Sequence, residues 1–302
     1  MKNPIINELE KLNLINRFNI VILNERTRDK NIKVLKDLKT NIIFLEKCVT
    51  NNKYYSSIKY KDYGKKIEKK STTKFTNIST FSGNIKTPII EDDYRRAIQF
   101  KKIIKKKDVL DFGCGWGGFL RNLKNCKSLN GIELRDENID FIKKNIKKIN
   151  ISNNINFFKK KFDVITMFHV LEHIPFQVKT LKALKSKLKK KGKIIIEVPH
   201  AEDFLILQDD LKEFKNFTFW SEHLILHTYK SLKTVLEKSG FRNINIKYYQ
   251  RFNFSNHLGW FIKKKPGGHN FYKEMSNKKL NYSYSNNLKK LRQTDTLIAV
   301  AS

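Results

Sequence analysis

Four glycines stand within six positions of "VLDFGCGWGGFL" (109–120), at 113, 115, 117 and 118, in a chain that holds only 12. Glycine loses more conformational freedom on folding than any other residue, so such a cluster answers a geometric need. Behind the apolar run "DVLDF" (108–112) and ahead of "GGFLRNLKN", it lets the backbone turn sharply and lets a ligand approach without meeting a Cβ atom. The helix start that follows would offer free N–H groups to a carboxylate or phosphate. Glu133 lies 20 residues after Gly113, a spacing that suits a carboxylate accepting the hydroxyls of a ribose. Loop, helix and acid together point to a nucleoside-bearing ligand. Gly113, Gly115 and Gly118 also satisfy the dinucleotide fingerprint, so a nicotinamide enzyme stays open at this point.

The seven histidines supply groups able to move a proton near neutral pH. In "FTFWSEHLILHTYKSL" (217–232), Glu222 and His223 sit beside Trp220 and His227. His223 is read as a general base and Glu222 as its orienting group or a hydroxyl ligand. A packing role at the helix start is the alternative. His200, in "EVPHAED", follows a strand at the edge where open α/β sheets bind ligands, which makes it the second base candidate. His173 in "LEHIP" is read as fixing a turn, and His169 as either structural or functional. "RFNFSNHLGWFIKKKPGGH" (251–269) gathers Asn256, His257, Trp260 and His269 around a Gly-rich turn. With Trp220 and His227 these polar and aromatic groups suit carbohydrate rings and hydroxyls. The alternative is a surface loop anchored by Phe252, Phe254 and Trp260.

The elements that must position these groups alternate. Strands are expected at "DVLDF", "SLNGIEL" (128–134), "INFF", "FDVITMF" (162–168) and "GKIIIEV" (192–198). Helices are expected at "EDDYRRAIQFKKIIK" (91–105), "GGFLRNLKN", "NIDFIKKNIKKI", "QVKTLKALKSKLKK" and "SLKTVLEKSGF". Such alternation means βα units and a parallel sheet. Two last strands, "NINIKYYQRF" (243–252) and "DTLIAVA" (295–301), flank a loop-rich insert, and the final one returns antiparallel. Residues 1–83 form a separate segment with β-like runs "FNIVIL" (18–23) and "NIIFLE" (41–46). It ends in the polar stretch "EKKSTTKFTNISTFSGN", read as a linker or extended arm.

Composition narrows the class. Of 302 residues, 40% are hydrophobic and 12% aromatic, which is globular rather than disordered. "MKNPIINELEKLNL" is too broken by charge for a signal peptide, and no apolar run reaches membrane-spanning length. Cys48, Cys114 and Cys126 show no pairing framework or metal spacing, so a cytoplasmic protein without a metal is expected. The net charge of +33 raises the question of a polyanionic partner. Yet the lysines are spread along the chain beside many Asn and Ile, and Lys far outnumbers the Arg that base readers prefer. A solvated surface is the default reading.

With these residues in place, the sequence resembles the class I S-adenosylmethionine (SAM)-dependent methyltransferases. "VLDFGCGWGGFL", "GIEL", "FDVITMFHVLEHI" and "GKIIIEVP" stand in the family's order across about residues 85–250 and the last strand. The resemblance implies a Rossmann-like α/β sheet, mostly parallel with an antiparallel last strand, over 84–302, with SAM as cofactor. It implies that Asp111 and the backbone at Gly113, Cys114, Gly115 and Gly117 hold the methionine end. Glu133 would hold the ribose, with Phe168 and His169 near the sulfonium. The insert at 251–290 becomes a substrate lid. "Trp-Ser-Glu-His" (220–223) is similar to a Tyr-x-Glu-His segment of sugar C-methyltransferases. Residues 25–47 look like a degenerate form of their N-terminal zinc ribbon without its cysteines. The acceptor implied is a hydroxyl or carbon of a sugar or surface-polysaccharide precursor, free or nucleotide-linked. An RNA methyltransferase is the alternative, although no Asp/Asn-Pro-Pro-aromatic motif and no Cys beside Pro is present. A non-catalytic SAM-fold scaffold or partner subunit is the alternative of another class, and a homo-oligomer stays open under either reading.

Overall fold

The computed structural model describes residues 3–50, 75–80, 83–88 and 91–302. Its strands are β1 (Ile20–Asn24), β2 (Val34–Asp37), β3 (Ile43–Leu45), β4 (Phe75–Thr80), β5 (Gly83–Pro88), β6 (Asp108–Phe112), β7 (Ser128–Ile132), β8 (Ile149–Ser152), β9 (Phe162–Phe168), β10 (Leu188–Pro199), β11 (Ile225–Leu226), β12 (Asn245–Tyr249) and β13 (Thr296–Ala301). Seven of them form one sheet in the order β12-β13-β10-β9-β6-β7-β8. Strands β8, β7, β6 and β9 run parallel, and β12 and β13 pair antiparallel. This is the doubly wound arrangement expected from the alternation, with its antiparallel final strand. Central strands read as apolar runs because both faces are covered. In β9, Phe162 and Val164 to Phe168 are all buried.

The chain divides into two compact units. One comprises residues 51–167 and 186–194, and the other 1–50, 168–185 and 195–302. The second unit contains an antiparallel sheet β1-β2-β3-β11, in which Ile225 faces Phe44 and Leu226 faces Ile43. Strands β4 and β5 form a hairpin within 68–84 and just beyond, where an extended arm was expected; the rest of that polar stretch lies outside the described residues. Among the described residues no helix is long and apolar enough to cross a membrane.

Three local expectations change. "INFF" is a 3-10 turn at Ile155–Phe157, because the Asn154 side chain accepts from Asn156 N at 2.8 Å; the strand lies earlier, at β8. The helix expected through residue 190 ends at Ser186, and lysines 189–191 belong to β10. The insert is helical rather than loop-rich, with helices Phe254–Lys263, Gly268–Phe271 and Lys278–Leu291. Asn253 and Asn277, which look like loop residues, are N-caps accepting from Asn256 N and Leu280 N.

Candidate active site

In the unit of residues 51–167 and 186–194, the glycine loop has a left-handed backbone at Gly113, Gly115 and Gly117. Gly113 N and Cys114 N both donate to the Ile132 carbonyl, at 2.8 and 3.0 Å, which lays the loop along the end of β7. A Cβ added to Gly115 would meet nothing within 4 Å, so the space above it is an open cradle. Glu133 faces that cradle. Its Oε2 accepts from Gly115 N at 2.8 Å and its Oε1 from Leu134 N and Arg135 N at 2.8 and 2.9 Å. Three backbone donors orient the carboxylate, and a carboxylate has about four acceptor sites, so capacity remains for a ribose hydroxyl.

The electrostatics decide between the two nucleoside ligands. Asp111 is buried and accepts from Thr166 Oγ1 at 2.7 Å. Burial drives its carboxyl up to about 7; the Asp93 and Glu133 carboxylates push the same way, against the Thr166 bond and Arg96. Asp93, itself raised by burial, bonds Arg96 at 3.3 Å and packs so closely on Gly118 that an added Cβ would collide with its carboxylate. The helix start expected to receive an anion is therefore faced by the chain's own acid. A pyrophosphate would meet Glu133, the Arg96-paired Asp93 and an Asp111 carboxyl that ionises from about 7, whereas a sulfonium and an ammonium favour those ionised forms. The residues fit SAM, whose sulfonium supplies the methyl group. Burial and the neighbouring Asp111 and Glu133 hold the Cys114 thiol well above its ordinary value, so it packs rather than reacts.

In the other unit, His169 follows β9 with φ of +52°, a left-handed backbone that is uncommon outside glycine. Such strain persists where surrounding contacts over-determine it. Here His169 Nδ1 lies 3.1 Å from Glu172 Oε1, while Nε2 lies 3.3 Å from Glu197 Oε1 and 3.2 Å from Arg251 Nη1. Both carboxylates are wholly buried, yet His169 keeps 23% of its side-chain exposure. Burial and Arg251 lower its pKa, but Glu172 and Glu197 prevail and raise it. Burial raises Glu172, and the His169 bond with the charges of His169, His173 and His223 brings it down to about 2. Arg251 is aimed by Asp295, whose two oxygens accept from Arg251 N and Phe252 N.

The segment that carries Trp220, Glu222 and His223 is held by the N-terminal residues. Arg28 N donates to the Phe219 carbonyl, and its guanidinium lies over the rings of Phe217 and Trp220 at 4.1 and 4.5 Å. Asp29 accepts from Ser221 N and Ser221 Oγ, at 3.0 and 2.6 Å. His223 meets the ring of His173 edge-on at 5.0 Å. Burial, then the charge of His173, lowers His223 to about 3, which leaves it a weak proton acceptor.

Other residues singled out in the sequence sit in the interior. His200 is wholly buried, bonded through Nδ1 to the Thr294 carbonyl, and pairs with His227 in an isolated parallel bridge. This corrects the expectation of a base standing open at the sheet edge. His227 is also wholly buried and bonds Ser231 Oγ in the capping box of helix Tyr229–Lys238; it is a packing residue. Asn256 and His257 are buried in the insert, with His257 between Gln250 and Tyr284. A loop-rich lid around a Gly-rich turn was expected; instead helix Phe254–Lys263 turns their face inward. His269 is exposed on a short helix. The structure thus gathers His169, Glu172, Glu197, Arg251, His173 and His223. Glu172, Glu197 and Arg251 were missed, although the His-x-x-Glu spacing at 169–172 carries the first of them.

Sheet order, the glycine cradle and its acidic surround define a class I SAM-dependent methyltransferase. A methyltransferase-domain family model matches residues 89–246, more than half of the chain, and the chain belongs to that family. It is 30% identical over 173 residues to a tRNA U34 carboxymethyltransferase of Nautilia profundicola, covering 51% of this chain and 56% of that protein. A tRNA U34 carboxymethyltransferase of Aliarcobacter butzleri matches at 30% over 175 residues, covering 52% and 56%. The chain spans about half the length of these curated relatives. A SAM-dependent methyltransferase structure from Archaeoglobus fulgidus aligns with a TM-score of 0.48 at 22% identity, covering 70% of this chain and 93% of that one.

Proposed function

We propose that this methyltransferase O-methylates a sugar hydroxyl, with His169 as the general base. The observation that carries the reading is the His169–Glu172 pair, 3.1 Å apart. A neutral hydroxyl is a poor nucleophile, and a base that removes its proton in the transition state contributes about 10²–10⁴-fold. Glu172 accepts from Nδ1 and fixes the tautomer, so that Nε2 takes the proton once Arg251, 3.2 Å from it in the ligand-free protein, turns to the acceptor. Glu197 stands 3.3 Å from Nε2 and stabilises the imidazolium that results. SAM, which the glycine loop and Glu133 would hold, would supply the methyl group to the hydroxyl oxygen and leave as its demethylated thioether, while the hydroxyl proton would stay on His169. Arg251 then serves to position the acceptor oxygen. The role given to His223 from the sequence passes to His169, because His223 is held as a weak base. Trp220 and Glu222, tethered through Arg28 and Asp29, remain the proposed acceptor contacts.

A second reading, RNA as acceptor, is favoured by the curated relatives, whose names give tRNA as their substrate. A ribose or ring hydroxyl would use the same base. The test is transfer of tritium from methyl-labelled SAM to a panel of nucleotide-sugars in parallel with bulk tRNA. Label in a sugar supports the first reading and label in tRNA replaces it with the second. His169→Ala is expected to lower kcat by about 100-fold or more with SAM affinity unchanged. Full activity of that variant would remove His169 from the mechanism.

A further inference from the structure

We propose that Glu172, His173 and His223 form a binding site for a first-row divalent cation, zinc above all. Among the described residues, one ligand atom from each lies within 4.8 Å of the others. An ion centred in a triangle of that size sits about 2.8 Å from each corner, and zinc bonds to N and O are roughly 2.0–2.2 Å. Each side chain therefore moves in by well under about 1 Å, a rotamer adjustment rather than a rearrangement.

A second observation points to a ligand independently of the cluster. Glu172 is wholly buried, and its Oε2 has no hydrogen-bond partner. Leaving a buried carboxylate oxygen unmatched costs several kcal/mol unless a cation or donor meets it. Its other oxygen is engaged by His169 Nδ1, which orients the carboxylate as outer-shell partners of metal ligands do. The backbone already brings the two ligand segments together, since Leu224 N donates to the Glu172 carbonyl at 2.8 Å. Two imidazoles and one carboxylate suit borderline metals such as Zn²⁺, Co²⁺ or Ni²⁺ far better than Mg²⁺ or Ca²⁺. Three protein ligands leave a fourth position open to water or to a hydroxyl. The site stands independently of which acceptor is methylated.

The experiment uses the tag-free full chain, stripped with a chelator and dialysed. Zn²⁺ is titrated by calorimetry, and Co²⁺ by its visible d–d absorption. One equivalent with a Kd below about 10 µM is expected, with Co²⁺ bands of low-symmetry four- or five-coordination. His223→Ala should weaken Zn²⁺ by about 1000-fold or more, beyond the 10–100-fold that outer-shell changes cost. His269→Ala, which alters an exposed histidine elsewhere, should leave Zn²⁺ affinity unchanged. Near-UV circular dichroism and thermal melts of the same samples report whether His223→Ala is folded. A variant that keeps its fold and loses Zn²⁺ supports the site. No stoichiometric Zn²⁺ in the unmodified protein, or equal Zn²⁺ affinity in His223→Ala, overturns it without touching the methyltransferase assignment.

Discussion

Asp111 is the residue at which stability and ligand binding pull against each other. Folded, its carboxyl holds a proton up to about 7, and unfolded only to about 4. The folded state therefore binds more protons than the unfolded state between those values, so stability falls as pH rises through that window. Asp111→Asn removes the ionisation and should raise the ligand-free Tm at pH 8 while leaving it nearly unchanged at pH 4. A pH series of thermal melts checks this; an unchanged Tm at pH 8 would refute it. A cationic ligand reverses the balance by favouring the ionised form. SAM affinity of the unmodified protein should then be greater at pH 8 than at pH 6, with proton release seen as buffer-dependent heat. Glu133→Ala should weaken SAM by at least about tenfold, since a hydrogen bond to a charged acceptor is worth roughly 1.5–3 kcal/mol.

At the scale of elements, residues 1–50 act as a clamp on segment 217–227 through β3–β11 pairing, Arg28 and Asp29. Asp29→Ala deletes both bonds to Ser221 and should cost about 1–3 kcal/mol. Because its effect is confined to that segment, acceptor KM should rise while SAM Kd stays constant. A parallel loss of SAM affinity would mean a wider role. Much of this architecture is legible in the sequence: the glycine loop, Glu133 and the apolar strands announce themselves through local spacing. The insert is less legible because Asn253 and Asn277 cap helices that a chain rich in Asn disguises as turns. Partners distant in sequence are invisible to spacing. Glu197 and Arg251 reach His169 only after β10 and the turn after β12 are laid down, and Asp29 lies 192 residues from Ser221.

For the whole molecule, the charge of +33 is the term that would favour a nucleic acid, and its placement tests that idea. In the unit holding the glycine loop, Lys105, Lys106 and Lys127 line a cleft of about 450 Å³ before the first residues of β6 and β7. The loop follows the last residue of β6. A five-residue strand rises about 16 Å, so a phosphate chain on these lysines lies a full strand away from the cradle. Around the cradle stand the acids Asp93, Asp111 and Glu133, with Arg96 and Arg121 beside Asp93. A polyanion on the lysine edge therefore lies about one strand length from the cradle. If the acceptor is a low-mass sugar compound, kcat/KM should change by less than about threefold between 50 and 200 mM salt. An RNA acceptor held by 6–10 phosphate contacts would lose about 10³–10⁵ in affinity over that range. Initial rates at four salt concentrations distinguish the two, and a steep decline would hand the acceptor to RNA.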